Sequence, residues 1–262
     1  MDIKGKVCLI TGASSGIGKA LAQALSAHGA KLALLARREQ ELQKLADQLG
    51  ALNPDILLVP TDVTDRSQVE AAVTKVFNHF GQIDLLVNNA GLGYFGSLEK
   101  MSMDDFDQVI KTNIYGLLHM SQAAIPYLKR SHGIILNISS GLSKRSLPYL
   151  SAYGGTKSMV DALSDGMRLE LKPYGIRVLN YCPPETDTEF HRNSRRQVSM
   201  EMGGGTRKMA KVETVVASIL KVIASEQREK VEGHFLHVMN FFAPKMLDTM
   251  FYKGMVQKLH KD

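Results

Sequence analysis

The hydrophobic positions of this chain gather into short, near-continuous runs separated by longer stretches of helical period. The runs are Val7-Cys8-Leu9-Ile10, Lys31 to Ala36, Ile56 to Val59, Asp84 to Val87, Gly133 to Ile138 and Ile176 to Tyr181. Continuous apolar runs of this length read as strands covered on both faces, not as half-exposed strands. Helix-like stretches follow them over 19–28, 39–49, from Asp65 onward, over 104–129, and over 151–172. Strand and helix alternating in this way predict an α/β chain with a doubly wound parallel sheet and right-handed crossovers. A helix over 212–224 and a strand near His234 to Val238 complete a sheet of about seven strands with helices on both faces. The tail pairs Met246 with Met250, Leu247 with Phe251 and Met255 with Leu259 at helical spacing, which predicts an amphipathic helix over 244–259.

Length adds little constraint beyond this. The 262 residues contain no linker rich in Pro, Gly or Ser, so the reading is one domain over 1–262. Residues 191–210 are polar, basic and glycine-rich around Gly203-Gly204-Gly205. They read as a lid over 190–210, with 240–262 as a C-terminal tail helix. The two cysteines, Cys8 and Cys182, sit far apart in apolar runs. They read as buried thiols of a reducing compartment. Among the 8 histidines, no pair has metal-ligand spacing. His234 and His237 fall in an expected strand and would face opposite ways. The expectation is no metal site and a cytoplasmic location, with no signal peptide and no transmembrane segment. A net charge of +6 suits a phosphorylated cofactor or an anionic membrane surface. No nucleic-acid-binding motif accompanies it.

Chemistry enters at the strand ends. After the first run comes Thr11-Gly12-Ala13-Ser14-Ser15-Gly16-Ile17-Gly18, then a helix. A glycine-rich turn between strand and helix lets the backbone approach a pyrophosphate, and the helix N-terminus favours its negative charge. The second run ends in Arg37-Arg38. An acidic residue there would bond the adenosine 2′-hydroxyl, whereas Arg accommodates a 2′-phosphate, so the cofactor reads as NADP(H). The blander alternative is a solvated helix start, which the helix dipole disfavours for Arg. Asp62-Val63 ends the third run, where Asp62 either reaches the adenine edge or starts a turn. Asn88-Asn89-Ala90-Gly91 ends the fourth. Asn113, within an expected helix, is either a kink or a functional amide.

The fifth run leads into Ser139-Ser140, a loop with Gly141 and Pro148, and a helix from about Ser151. Tyr153 and Lys157 are four apart and share a helix face. An ammonium beside a phenol favours the phenolate, and bringing a phenol from about 10 to near 7 takes roughly 4 kcal/mol. Ser140 can donate to a carbonyl oxygen that becomes an alkoxide.

T-G-A-S-S-G-I-G, N-N-A-G, Asn113 and S-x12-Y-x-x-x-K, in this order, resemble the short-chain dehydrogenase/reductase family from residue 5 to about 240. The resemblance implies a Rossmann fold and NADP(H)-dependent interconversion of a ketone and a secondary alcohol. It makes Tyr153 the general acid/base, Lys157 its modulator and ribose ligand, Ser140 the carbonyl polariser, and Asn113 the holder of a relay water. Gly12, Ser14, Ser15, Gly16, Ile17 and Gly18 would cradle the cofactor, with Asn89, Ala90 and Gly91 on its adenosine side. Pro183 would contact the cofactor, and Thr188 its nicotinamide carboxamide. The string P-P-E-T-D-T, in which Pro184 takes a place usually held by glycine, is similar to that of 3-ketodihydrosphingosine reductases. This implies a long-chain, lipid-like 3-keto substrate. Alternatives are a 3-ketoacyl thioester, a steroid or retinoid, or a non-catalytic NADP-binding module. The expected assembly is a homodimer or homotetramer. The tail is left to a subunit interface, a core cover or peripheral membrane contact.

Overall fold

The computed structural model describes residues 1–50, 55–196, 209–232 and 235–256. Three βα units come first: β1 (Val7–Thr11), α1 (Gly16–Ala27), β2 (Lys31–Ala36), α2 (Glu39–Gly50), β3 (Ile56–Pro60) and α3 (Arg66–Phe80). Then come β4 (Leu85–Asn88), a short β5 (Tyr94–Phe95), α4 (Met103–Ile110), α5 (Gly116–Ser131) and β6 (Ile134–Ile138). The long α6 (Ser151–Leu171) precedes β7 (Arg177–Cys182), α7 (Phe190–Asn193) and β8 (Arg195–Arg196). The chain ends in α8 (Val212–Ser225), β9 (Glu229–Val231), α9 (Phe235–Phe242) and α10 (Pro244–Phe251).

The main sheet has 7 strands in the order β3-β2-β1-β4-β6-β7-β9, all of them parallel. The order reverses between β1 and β4. In open α/β sheets that switch point, at the carboxyl ends of the strands, is where ligands bind. Side chains alternate across the sheet, so β1 sends Cys8 and Ile10 to one core and Val7 and Leu9 to the other. One core packs under α1 and α8, the other under α3 and α5. Local chemistry sets the helix ends. Asp65 caps α3 by accepting from Ser67 N and Gln68 N, and Gly81 stops it at φ 77°. Both cysteines are free and buried in strands, as expected from their apolar context.

Three expectations need correction. The seventh strand is Glu229–Val231, not a strand near 234–238. Residues 235–238 lie instead in α9, and His234 falls outside the described residues. The charged start of β9 hid it. Glu229 is half-buried there and takes the Lys144 ammonium at 2.8 Å. The helix expected over 104–129 is broken by one π-helical turn, Lys111–Tyr115, between α4 and α5. The tail is a shorter helix, Pro244–Phe251, followed by a π turn over Tyr252–Val256. It buries Leu247 and Phe251 while Met246 and Met250 face outward. The expected methionine face is thus largely a solvent face, and only Met255 of the three packs inward. Leu259 and Gly203 to Gly205 lie outside the described residues. Of the expected lid, α7 and β8 are described, and β8 pairs in parallel with β5.

Candidate active site

One cleft of about 700 Å³ runs over the carboxyl ends of the strands. Its walls include Gly12, Ser14, Ser15, Gly16 and Ile17 from the first turn, Arg37 and Arg38 after β2, and Asp62 and Val63 after β3. Asn89, Ala90 and Gly91 follow β4, and Ser140, Tyr153, Lys157, Pro183 and Thr188 close the other end. Two expected residues are not in this wall. Gly18 is buried, and a Cβ there would sit 2.4 Å from the Gly12 carbonyl oxygen and 2.5 Å from Asn89 Nδ2. Its lack of a side chain lets α1 close on the turn. Asn113 lies beneath the cleft, beside a small cavity of about 10 Å³ that it shares with Lys157.

The first turn is built for close approach. Gly12 and Gly16 have φ of 64° and 54°, the left-handed region that favours glycine. A Cβ on Gly12 would lie 2.9 Å from Asn89 Nδ2. Asn89 Nδ2 donates to the carbonyls of Thr11 at 3.0 Å and Gly12 at 3.3 Å. Thr11 Oγ1 accepts from the amides of Asn89 and Ala90, both at 3.0 Å. The ends of β1 and β4 are thereby locked together. Ser15, the N-cap of α1, makes no side-chain cap bond, so the first-turn amides keep donors for an anionic group. Arg38 reaches back over this turn, with Nη2 3.2 Å from Ser14 Oγ, and lies 3.6 Å from Glu189. Asp62 Oδ1 accepts from Thr64 N and Oγ1, both at 2.9 Å. Asp62 therefore makes the turn before α3 while lining the cleft. These groups suit a dinucleotide phosphate: donors, glycine backbone and two guanidinium side chains at one end of a long cleft.

The π turn explains Asn113. Its Oδ1 accepts from Leu92 N at 2.7 Å, and its Nδ2 donates to Leu92 O at 3.0 Å and Thr156 Oγ1 at 2.9 Å. The side chain thus ties the loop after β4 to α6. The irregularity is there, and the Asn113 amide is engaged within it.

Ser140 opens the loop after β6 and accepts from Leu142 N at 3.1 Å. Tyr153 is buried, and burial pushes its phenol up to about 12, with a Ser140 hydrogen bond working the other way. Lys157 is buried too, and burial lowers it to about 8. Its Nζ donates to the Ile138 carbonyl at 2.8 Å. The lowered phenol expected from the Tyr–Lys pairing is therefore absent from the protein alone. The ammonium is engaged by Ile138, and desolvation dominates at Tyr153. The Phe190 ring stacks obliquely on Tyr153, with centroids 5.4 Å apart. Phe95, Leu142, Leu147 and Leu150 line the same end of the cleft.

Sequence reasoning missed two groups here. Asp161 accepts from Ser139 Oγ at 2.6 Å, and Lys144 bridges Asp161 and Glu229, each at 2.8 Å. Asp161 stands one helical turn beyond Lys157, a spacing that could have flagged it. Lys144 carries no such signal.

A parallel sheet with a switch-point cleft and buried Ser, Tyr and Lys side chains at its mouth defines a dinucleotide-binding oxidoreductase architecture. Residues 6–199 match the short chain dehydrogenase family, and the chain belongs to that family of oxidoreductases. An uncharacterised oxidoreductase of Staphylococcus epidermidis is 38% identical over 187 residues, 71% of this chain and 80% of that protein. The 11-beta-hydroxysteroid dehydrogenase A of Sesamum indicum is 32% identical over 262 residues, 95% of this chain and 75% of that protein. The alcohol dehydrogenase of the archaeon Thermococcus sibiricus, solved with 5-hydroxy-NADP, superposes with a TM-score of 0.78 at 32% identity. That match covers 87% of this chain and 96% of the other. No helix among the described residues is long and apolar enough to cross a membrane.

Proposed function

We propose that the protein is an NADP(H)-dependent carbonyl reductase, interconverting a ketone and a secondary alcohol on a hydrophobic small molecule. The supporting observation is one continuous cleft with Arg37 and Arg38 at one end and Ser140, Tyr153 and Lys157 at the other. The Thermococcus sibiricus relative, an alcohol dehydrogenase solved with an NADP derivative, points the same way.

A reduced nicotinamide supplies the hydride that the carbonyl carbon accepts. The protein supplies the rest. Tyr153 gives its phenolic proton to the carbonyl oxygen as that oxygen gains charge. Ser140 donates its hydroxyl proton in a hydrogen bond to the same oxygen. Lys157, as an ammonium, stabilises the phenolate left on Tyr153. Phe190, Phe95 and the leucines exclude water from the reacting end, which strengthens each of these interactions. Asn113 holds the Leu92 loop against α6, and its shared cavity with Lys157 is about the size of one water. That suits a relay of protons to Lys157. Arg37, with Arg38 and Ser14, takes the 2′-phosphate.

The finer reading is a long-chain, lipid-like 3-ketone, such as 3-ketodihydrosphingosine. The apolar wall beside Tyr153 supports it, as does the P-P-E-T-D-T string. A steroid-like substrate is the second reading, favoured because the 11-beta-hydroxysteroid dehydrogenase A of Sesamum indicum matches 95% of this chain. NADPH oxidation with 3-keto lipids of increasing chain length tests the first. Each buried methylene adds about 0.8 kcal/mol, so kcat/KM should rise about fourfold per methylene until the wall is filled. A flat dependence together with a preference for a steroid ketone overturns the lipid reading in favour of the second. No NADPH oxidation with any ketone overturns the reductase reading itself.

A further inference from the structure

Below the reacting end of the cleft lies a cluster of charge that the chemistry above does not use. Lys144 sits on the loop four residues beyond Ser140. Its Nζ lies 2.8 Å from Asp161 on α6 and 2.8 Å from Glu229 on β9. Asn180 Nδ2 on β7 donates to both carboxylates, at 2.8 and 3.0 Å. Its own buried Oδ1 has no partner among the described residues. Ser139 Oγ lies 2.6 Å from Asp161 Oδ1 and 3.2 Å from the Lys157 carbonyl oxygen. Asp161, Cys182 and Glu229 bring their ligand atoms within 4.8 Å of one another, and the cation set among them is Lys144 itself.

The charges do not balance within the cluster. Two carboxylates face one ammonium, which leaves one negative charge in excess. The neighbouring buried cation is Lys157, one helical turn from Asp161. We propose that Lys144 and Asp161 are positioning residues that set the charge state of Lys157 and fix the Ser139–Ser140 strand end against α6. Asp161 supplies the counter-charge to the Lys157 ammonium, and Lys144 limits it by neutralising half of the carboxylate pair. Lys144 also anchors the loop that carries Ser140 to the helix that carries Tyr153, so one ion pair serves both spacing and charge.

The Tyr153 ring centre on α6 lies 5.9 Å from Lys157 Nζ. Cys182 on β7 and Asp161 on α6 act on Lys157 through their charge, and Lys144 and Glu229 are joined to it only through the ion pairs that Lys144 makes with Asp161 and Glu229. Cys182 does not provide the counter-charge at neutral pH, because burial pushes its thiol up to about 11 and it stays protonated. Asp161 stays ionised, held below its ordinary value by hydrogen bonds from Lys144, Ser139, Ser143 and Asn180 against the opposing effect of burial. The sign of the effect does not depend on how Tyr153 and Lys157 share their protons. Protonation adds a positive charge to either group, so removing a negative neighbour lowers the proton affinity of both.

The proposal rests on the reading of Tyr153 and Lys157 as the proton-transfer pair. The test therefore has one readout that needs no turnover. Lysine labelled with ¹³C at Cε is followed by NMR through a pH titration, with the Lys157 signal assigned by its loss in Lys157→Met. Asp161→Asn should lower the Lys157 midpoint by about one pH unit, and Lys144→Met should raise it by about one unit. Lys144→Arg should leave it near the wild-type value. The alkaline limb of kcat/KM should move in the same two directions. Unmoved or same-direction NMR shifts in the two variants overturn the proposal. NMR shifts of opposite sign with an unmoved pH–rate profile uphold the charge assignment and instead overturn the catalytic role of the pair. If Asp161→Asn does not fold, the Lys144→Met and Lys144→Arg pair decides alone: a raised midpoint in the first and not the second upholds it, and any other result overturns it.

Discussion

Lys157 Nζ lies 5.9 Å from the centre of the Tyr153 ring and spends a hydrogen bond on the Ile138 carbonyl at 2.8 Å. The two groups are neighbours without being bonded. Burial acts on them in opposite senses, raising the phenol to about 12 and lowering the ammonium to about 8, because it penalises the charged form of each. Proton transfer near neutral pH needs the phenol brought down again. In the proposed reaction, a bound oxidised nicotinamide would supply positive charge beside Tyr153, and Lys157 is the protein's own source of it.

Tyr153→Phe should therefore lower kcat by at least about a hundredfold, within the usual range for loss of a general acid. NADPH affinity, followed by cofactor fluorescence, should stay within about threefold of wild type. Retention of most of the wild-type kcat would show that another group moves the proton.

Lys157 should cost the free protein stability. Its native value is about 8 against about 10.4 for an unperturbed lysine. The native state thus binds fewer protons than the unfolded chain between these values, and stability rises with pH across that window. The penalty is complete below about pH 8 and gone above about pH 10.4. Its size is about 3 kcal/mol by order of magnitude. Lys157→Met should unfold at a higher temperature than wild type at pH 7, without cofactor, and the gap should close toward pH 10. Activity should be lost at both pH values. A lower melting temperature for the variant at pH 7 would mean that the Ile138 hydrogen bond outweighs the desolvation.

Arg37 should select the cofactor. A charge-assisted bond to a phosphate is worth roughly 1.5–3 kcal/mol, or about tenfold to a hundredfold in affinity. Arg37→Asp should level or reverse the NADPH preference measured as kcat/KM. Arg38 is already committed to Ser14 and Glu189, so Arg38→Ala should weaken both cofactors through the turn as well as NADPH through its phosphate. Equal kcat/KM for NADPH and NADH in the wild type would remove this role from Arg37.

What could be read from the sequence follows from how local the signal was. The strands β1, β2, β4 and β6 are dense apolar runs because both faces are covered, and the turn after β1 announces itself through glycines that need close approach or positive φ. Tyr153, Lys157 and Ser140 follow from helix periodicity and a strand end. The misses are non-local. Glu229 reads as a surface charge until Lys144, 85 residues earlier, is brought against it, so β9 was hidden. Asn113 is legible as a candidate, but its partners Leu92 and Thr156, which come from two other elements, are not. The tail had two apolar stripes, and only the three-dimensional structure shows that Leu247 and Phe251 face inward while Met246 and Met250 do not.

That choice of stripe leads to a prediction about substrate. Leu247 and Phe251 pack with Phe95, Leu147 and Leu150 in one apolar cluster, and the last three also line the cleft. The tail is thus the backing of the wall, one layer behind any chain that lies against it. Phe251→Ala opens space behind that wall. Burial of a phenylalanine ring is worth about 3–5 kcal/mol in a core, so a clear drop in melting temperature is expected. The wall should also loosen, and the rise of kcat/KM with substrate chain length should flatten, while turnover of a short ketone changes less. Met246→Ser is the control, because Met246 is 57% exposed and on the opposite face of α10. It should leave melting temperature and the chain-length slope unchanged with substrates below their micelle limit. If Phe251→Ala keeps the full slope while losing stability, the tail is a core cover without influence on the substrate. If Met246→Ser flattens the slope, the substrate meets the outer face of the tail, and the wall reading falls.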